Sequence, residues 1–378
     1  MSTPIADLPV IDLTKFIGAA DLTAADVVDE CNKVAECLHK YGVLVVRDPR
    51  ATEADNNLFL DLMERYFEHT DFIEDARPEY SFQVGVTPEQ QEKARNHCTR
   101  AEGLAKEHQP VTLCPPELDK KSRFFWRAGP RPENSQFTEL NAEPVVPKAF
   151  PEWEDVMNMW GNKMLAAIHE IVQMAALGLG LEKDAFSSLM TVAPHLLAPT
   201  GSNFSKYNTL NDVLAGYHYG TFLTHVPITY WVSFLITGVL VDLNLLTIHG
   251  KSRFPGLYIW LRNGEKALVR VPDGCLLVQA GKQIEYLTGG YLEAGFHEVV
   301  VSNETLSVIE ARKLANQSLW RVSSTLFSHI NSDDTLQPVG RFATSDRLAK
   351  YPPILTGHQV RQELAHIELG TGFTLHRD

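Results

Sequence analysis

The strongest constraint on the fold is a run of short apolar segments, separated by turn residues, between about residues 196 and 330. Residues 256–261, 267–271 and 275–279 each have the length and composition of a β-strand, and they are separated by Asn263-Gly264 and by residues 272–274. Strands at this spacing predict an antiparallel sandwich or barrel, and a jelly roll (double-stranded β-helix) is the simplest closure.

Helical periodicity and further strand signals lie on both sides of this region. The longest helical pattern has apolar side chains on one stripe and ends at Gly178 and Gly180, which suits a helix that backs the β-structure. We predict helices over 21–40, around 58–67, over 152–179 and over 351–369, an edge strand over 8–13, a buried strand over 43–46, and irregular structure over 78–151. The chain is therefore expected to be mainly β with flanking helices (α+β).

Charge and cysteine content narrow the classes of partner and compartment. The chain has 34 Lys and Arg against 47 Asp and Glu, a formal charge of -13, which argues against nucleic acid and anionic membrane surfaces as partners. Five scattered cysteines form no Cys-x-x-Cys pair and are expected to be buried thiols, and the N-terminus shows no secretory signal. These features predict a cytoplasmic protein.

A candidate metal site is visible in the order of two histidines and one acid. Non-haem iron(II) enzymes hold the metal with two imidazoles and one carboxylate, and the sequence offers His218, Asp242 and His297. Further along, Arg321 and Ser323 are two residues apart on a predicted strand and therefore face the same side. A planar guanidinium with a hydroxyl beside it is suited to hold a carboxylate rigidly.

The chain resembles the isopenicillin N synthase-like group of 2-oxoglutarate- and Fe(II)-dependent dioxygenases over nearly its whole length. The resemblance is carried by residues 8–13 (LPVIDL), 40–44 (KYGVL), 245–248 (LLTI), 255–257 (PGL) and 281–290 (GKQIEYLTGG), together with the candidate site. It implies that His218, Asp242 and His297 bind Fe(II), and that Arg321, Ser323 and Tyr207 hold 2-oxoglutarate.

The resemblance also implies an organisation and a reaction. An N-terminal region similar to that of non-haem dioxygenases would span 1–150, the jelly-roll core 151–335 and a C-terminal helical tail 336–378. The enzyme would oxidise a C–H bond of a small organic molecule by hydroxylation, desaturation or cyclisation, while 2-oxoglutarate is decarboxylated to succinate. The identity of the substrate and the oligomeric state are not encoded in any recognisable pattern.

One departure from the family pattern splits the candidate metal site. The family has His-x-Asp, whereas here the uncharged, apolar residues 220–241 separate Tyr219 from Asp242, and joining these two residues restores the motif. We interpret the insert as a retained intron; the other interpretations are a genuine loop, a membrane segment, and a His-x-Gly site like that of iron halogenases.

Two functions from other classes also fit parts of the sequence. One is a jelly-roll protein whose activity is impaired because the insert breaks the metal site, and the other is a zinc hydrolase on a cupin-like barrel. His249 and His169 are expected to be structural or exposed. The aromatic segment 124–126 with Arg127 could line the substrate pocket, but core packing is the favoured interpretation.

Overall fold

The computed structural model describes residues 4–69, 74–80, 82–93, 97–218 and 242–365, with the backbone alone at residues 100, 218 and 365. The helices are α1 (Ala25–Tyr41), α2 (Glu53–His69), α3 (Cys98–Glu102), α4 (Trp153–Gly178), α5 (Lys282–Leu287), α6 (Asn303–Leu314), α7 (Ser345–Lys350) and α8 (Thr356–Ala365). The strands are β1 (Val10–Asp12), β2 (Val43–Arg47), β3 (Gly85–Thr87), β4 (Ser122–Ala128), β5 (His195–Leu197), β6 (Thr200–Asn203), β7 (Val213–His218), β8 (Leu246–His249), β9 (Leu257–Trp260), β10 (Lys266–Leu268), β11 (Cys275–Ala280), β12 (Phe296–Val300), β13 (Trp320–Ser323), β14 (Thr325–Ser328), β15 (Thr335–Leu336) and β16 (Ile354–Leu355).

Two sheets form the centre of the described part of the chain. The larger sheet has the order β1-β2-β11-β8-β14-β5-β4-β6-β13, with β3 added beside β4, and the smaller sheet has the order β10-β9-β12-β7. Apart from the parallel pair β1 and β2, these strands pair antiparallel. Many neighbouring strands in these sheets come from distant parts of the sequence, so crossover connections join them and the topology is not a simple meander.

The main hydrophobic core lies between the larger sheet and the helices α1, α2 and α4. The predicted apolar stripe of α4 is buried in this core, including Val156, Trp160 and Ile168. The indole N–H of Trp160 donates a hydrogen bond of 2.5 Å to the hydroxyl of Ser324, which joins the helix to the link between β13 and β14. The helix layer therefore supports the strands that carry the Arg321 and Ser323 motif from behind.

Several predictions made from local sequence are confirmed. The helix predicted over 21–40 is α1, and it ends at Gly42, which adopts a left-handed backbone with φ 71° and donates its N–H to the carbonyl of Leu38. The predicted edge strand is β1, which pairs only with β2 among the described strands. The three strands predicted between residues 256 and 279 are β9, β10 and β11.

Two predictions are wrong. Residues 78–151 are not irregular throughout, because β3 and β4 lie within them and β4 pairs with β3, β5 and β6 in the larger sheet. The cysteines are not all free thiols: Cys31, Cys37 and Cys275 are buried and free as expected, but Cys98 and Cys114 form a disulfide. Their separation of 16 residues gives no local motif, since folding of the intervening segment brings them together.

Candidate active site

A cavity of about 500 Å³ lies between the two sheets. On the larger sheet, Phe125, Leu196 and Phe327 line it from three strands that are neighbours in the order β4, β5 and β14. Successive side chains of a strand point to opposite faces, so the alternate residues Phe124 and Trp126 are packed in the core behind the sheet. The aromatic segment 124–126, for which core packing was the favoured interpretation, therefore places two side chains in the core and one in the cavity wall.

The candidate metal ligands are brought to one side of this cavity. His297 on β12 is the direct cross-strand partner of His218 on β7, and both Asp242 and His297 line the cavity. Burial lowers the pKa of His297, while the charge of Asp242 acts in the opposite direction. The imidazole is therefore neutral near pH 7, which is the form that binds metal ions.

A complete metal site is not present among the described side chains. Within them, no three His, Cys, Asp or Glu residues are grouped closely enough to hold a metal ion. The side chain of His218 and all of the insert 220–241 lie outside the described residues. Metal binding by His218, Asp242 and His297 therefore stays a prediction, supported by the pairing of two backbones and by one shared cavity.

Arg321 is a buried cation that faces the same cavity. It lies on β13 opposite Ser202 of β6, and only 6% of its surface is exposed. Among the described residues no carboxylate lies within 4 Å of its guanidinium, and its Nε has no hydrogen-bond partner. Burial alone lowers its pKa to about 10. A buried charge without an acid partner is costly, so this arginine is suited to receive an anion from the cavity.

A short chain of polar groups runs from Ser323 across the cavity wall. The hydroxyls of Ser323 and Thr325 are 3.0 Å apart, and the Thr325 hydroxyl is 3.0 Å from Nδ1 of His249. Nε2 of His249 lies 3.4 Å from the side-chain oxygen of Gln279. These contacts fix the position of Ser323 next to Arg321.

His249 is a residue of the site that the sequence reasoning missed. It lines the cavity, and burial lowers its pKa to about 4, while Asp242 acts in the opposite direction and His297 and Arg321 add to the lowering. The ring is therefore neutral and lies close to the candidate ligands. One signal could have found it: in β8 the polar residues Thr247 and His249 alternate with the buried Leu246 and Ile248.

Tyr207 is a correction to the predicted co-substrate site. Its hydroxyl donates a hydrogen bond of 3.1 Å to the carboxylate of Glu89, and Tyr207 is not among the described residues that line the cavity. Lys206 makes a salt bridge with the same acid, and the ring packs against a separate apolar cluster around Phe204. We therefore remove Tyr207 from the residues expected to hold 2-oxoglutarate.

Close to His297 the cavity wall carries a compensated ionic cluster. Glu92 is fully buried, which by itself raises its pKa, but the charges of Arg123 and Lys121 more than offset this effect and the pKa is lowered overall. Lys121 lies 2.9 Å from Glu92 and is also paired with Asp119, while Arg123 lies 3.3 Å from Glu92. This cluster is neutral as a whole and has no charge left for a ligand.

Comparisons with known proteins support the fold strongly and the sequence relationship weakly. No protein-family profile matches the chain, and no curated protein matches it. Solved structures do match. A protein of Caulobacter crescentus, described as a 2OG-Fe(II) oxygenase family protein, superposes with a TM-score of 0.69 at 18% identity over 96% of this chain and 100% of that chain.

Two further structures have bound ligands. A full-length Neurospora crassa protein in complex with alpha-KG and thymine gives a TM-score of 0.66 at 16% identity, over 95% of this chain and 96% of that one. JOX2 in complex with 2OG, Fe and JA gives 0.61 at 16% identity, over 97% and 88%. The chain therefore has the fold of the 2-oxoglutarate–Fe(II) oxygenases, a jelly roll with flanking helices. None of the described helices has the length and apolar character needed to cross a bilayer.

Proposed function

We propose that this chain is a 2-oxoglutarate- and Fe(II)-dependent oxygenase that oxidises a C–H bond of a small organic molecule. One observation carries the proposal: Arg321, buried and without an acid partner among the described residues, faces the same cavity as Asp242 and His297. A buried guanidinium next to an acid and a neutral imidazole is the arrangement that a metal-bound keto-acid requires.

The residues present fit a ferrous ion. Two imidazoles and one carboxylate are the ligand set that non-haem Fe(II) takes, and the backbone pairing of His218 with His297 brings two of the three residues side by side. When bound, the iron would supply the activation of dioxygen that couples decarboxylation of 2-oxoglutarate to oxidation of the substrate. His218, Asp242 and His297 would hold it on one face.

The other residues of the site would position the co-substrate. Arg321 would pair with the far carboxylate of 2-oxoglutarate through two N–H groups, and the hydroxyl of Ser323 would donate to the same carboxylate. Thr325 and His249 hold that hydroxyl in place from behind. The apolar walls around Phe125 and Phe327 would exclude water from the reacting atoms.

Finer assignments rest on sequence motifs. The KYGVL and GKQIEYLTGG segments support a position close to the isopenicillin N synthase-like group, in which the reaction would be hydroxylation, desaturation or cyclisation. Similar structures with thymine or JA bound support a small organic substrate. The division at residues 150 and 335 and the cytoplasmic location likewise stay predictions from the sequence.

The insert 220–241 bears on whether this form of the chain is active. It lies outside the described residues, and we propose that it is a retained intron, because removal of it rejoins His218-Tyr219 to Asp242 as His-x-Asp. Sequencing cDNA across this junction tests the idea. Transcripts that all keep the segment would contradict it and would leave a genuine loop.

Turnover of 2-oxoglutarate by two forms of the chain tests the proposed function. The full chain and a form that lacks residues 220–241 are supplied with Fe(II), dioxygen and 2-oxoglutarate, and succinate is measured. We expect succinate from the shortened form at least, loss of it in Asp242→Ala, and unchanged succinate in the control Arg65→Gln, which removes a surface ion pair with Glu152.

Two outcomes would contradict the proposal. If neither form retains iron or makes succinate, the chain is a catalytically impaired jelly-roll protein. If the protein retains zinc and its catalytic activity does not depend on 2-oxoglutarate, the site belongs to a hydrolase.

A further inference from the structure

We propose that Arg127 and His329 form an anion subsite for the organic substrate, and that this substrate is a small carboxylate with an apolar body. The proposal rests on the function proposed above, because that function assigns Arg321 to 2-oxoglutarate. It adds the chemical class of the molecule that is oxidised.

The charge balance of the cavity wall leaves three charged groups for ligands. Most charged side chains that line the cavity lie within 4 Å of an opposite charge: Glu92 with Lys121 and Arg123, Glu139 with Arg361, Glu304 with Arg270, Lys251 with Asp273, and Arg253 with Asp61 and Glu64. Among the described residues, the charged lining groups without such a partner are Asp242, Arg321 and Arg127. These three charges are therefore the ones available to ligands.

Two of the three are matched by the metal and the co-substrate. The two positive charges of Fe(II), together with Arg321, balance Asp242 and the two carboxylates of 2-oxoglutarate. Arg127 then remains as one buried positive charge without a counterion. Because an uncompensated buried charge is costly, a substrate with one negative charge is favoured over a neutral one.

Arg127 is held in position by groups that do not neutralise it. It is 8% exposed, and burial, with a smaller effect from the charge of Arg131, lowers its pKa to about 10. Its terminal nitrogens donate to the backbone carbonyls of Ala128, Pro130 (3.0 Å) and Val192 (3.4 Å) and, at 3.5 Å, to the side-chain oxygen of Asn141, while its Nε is buried without a hydrogen-bond partner among the described residues. These neutral oxygens orient the guanidinium and leave its charge and the Nε–H for a ligand.

His329 adds a second polar group to the same subsite. It is 4% exposed, it lines the cavity, and its Nδ1 has no hydrogen-bond partner among the described residues. Burial lowers its pKa to about 3, and the nearby His195 and Arg127 contribute to that lowering. The ring is therefore neutral and can donate one N–H to an anion without adding a charge.

The two buried arginines are at opposite ends of the cavity. Arg123, Thr200 and Ser323 lie in one cross-strand row, and β4 and β13 run in the same direction on either side of β6. Arg127 is four residues after this row on β4, and Arg321 is two residues before it on β13. The two backbone positions are therefore offset by six residues along the strands, which is about 20 Å at about 3.3 Å per residue. One anion cannot satisfy both arginines, so each has its own ligand.

The wall beside Arg127 defines the rest of the substrate. Leu196 is the cross-strand partner of Arg127, Phe327 is the partner of Leu196, and Phe125 and Leu140 line the same space. These side chains offer apolar and aromatic surface and few polar partners. A compact apolar or aromatic body attached to a carboxylate fits this combination.

A matched acid and amide test the proposal without turnover. The full chain and the form that lacks residues 220–241 are each loaded anaerobically with Fe(II) and the unreactive analogue N-oxalylglycine, and phenylacetate or phenylacetamide is added in a calorimeter. We expect the acid to bind at least about ten-fold more tightly than the amide. Arg127→Gln should abolish this preference, His329→Phe should reduce it, and Arg65→Gln should leave it unchanged.

The possible results are distinguishable. Equal binding of acid and amide by the unaltered chain would overturn the anion subsite. An undiminished preference for the acid in both Arg127→Gln and His329→Phe would also overturn it. His329→Phe keeps the test decisive if Arg127→Gln does not fold, since it leaves the guanidinium and its carbonyl partners in place. Binding of N-oxalylglycine in the same experiment tests the proposed function separately: if the analogue binds to neither form of the chain, the proposed function fails, whereas unequal binding of acid and amide concerns the anion subsite alone.

Discussion

Replacing Arg321 with methionine is expected to change stability and co-substrate binding in opposite directions. Burial lowers the pKa of this arginine from 12.5 to about 10, which corresponds to a penalty on the charged form of about 3 kcal/mol at about 1.4 kcal/mol per pKa unit. Methionine fills similar space and carries no charge. The free protein with Arg321→Met should therefore be as stable as the unaltered chain, or more stable by up to about 3 kcal/mol.

The same substitution should nearly abolish binding of 2-oxoglutarate. Removing one partner of a buried, hydrogen-bonded ion pair costs about 2–5 kcal/mol, which is a loss of affinity between about 30-fold and several thousand-fold. The affinity of Arg321→Lys for 2-oxoglutarate should lie between the affinities of the unaltered chain and of Arg321→Met, because lysine keeps the charge but cannot pair with both carboxylate oxygens.

Two measurements on the same preparations check these expectations. Chemical denaturation of the free protein gives the change in the free energy of unfolding, and anaerobic calorimetry on the Fe(II)-loaded protein gives the affinity for 2-oxoglutarate. The reasoning would be refuted if Arg321→Met bound 2-oxoglutarate as tightly as the unaltered chain, or if it lost several kcal/mol of stability while binding was unchanged.

Three further predictions concern the scaffold. Trp160→Phe leaves the buried hydroxyl of Ser324 without its donor, so we expect chemical denaturation to show a free energy of unfolding that is lower by about 1–3 kcal/mol. The affinity for 2-oxoglutarate should be unchanged, and a large loss of affinity would contradict a purely supporting role for Trp160. Burial lowers the pKa of His195 to about 3, so the unfolded chain takes up a proton that the folded chain excludes, and stability should fall as the pH falls from 6.5 towards 3. In that window His195→Asn should make the fall shallower by up to about 1.4 kcal/mol per pH unit, and an unchanged slope would argue against a neutral buried ring. Reduction of the disulfide between Cys98 and Cys114 should cost about 3 kcal/mol, whereas a double serine variant should show no response to reductant; equal responses would mean that no disulfide forms.

Local pattern was sufficient for much of the fold. α1, α4 and the strands β9 to β11 carry their own periodicity and turn signals, so the sequence predicts them without knowledge of their neighbours. β4 does not. Phe124 and Trp126 face the core, and Phe125 lies on the cavity face between Arg123 and Arg127, so three consecutive aromatic residues interrupt the polar alternation and the pairing with β5 and β6 identifies the strand.

The candidate site was predictable where it follows a motif and not where it depends on packing. His297 and Arg321 stand in recognisable segments, and the structure places both at one cavity. His249 and Arg127 carry no motif, because their importance comes from strand register and from the absence of a counterion near Arg127 among the described side chains. Tyr207 shows the opposite error: a weak motif predicts a co-substrate role for it, whereas its hydroxyl is bonded to Glu89.

The most direct test of the account is an anaerobic titration of the chain, with and without residues 220–241, with Fe(II) followed by 2-oxoglutarate. A keto-acid chelated to ferrous iron gives a metal-to-ligand charge-transfer absorption. We predict that the band appears only when both Fe(II) and 2-oxoglutarate are added, and that it is lost in Asp242→Ala and shifted to much higher 2-oxoglutarate concentration in Arg321→Met. Absence of the band from both forms of the chain, with no iron retained, would contradict it.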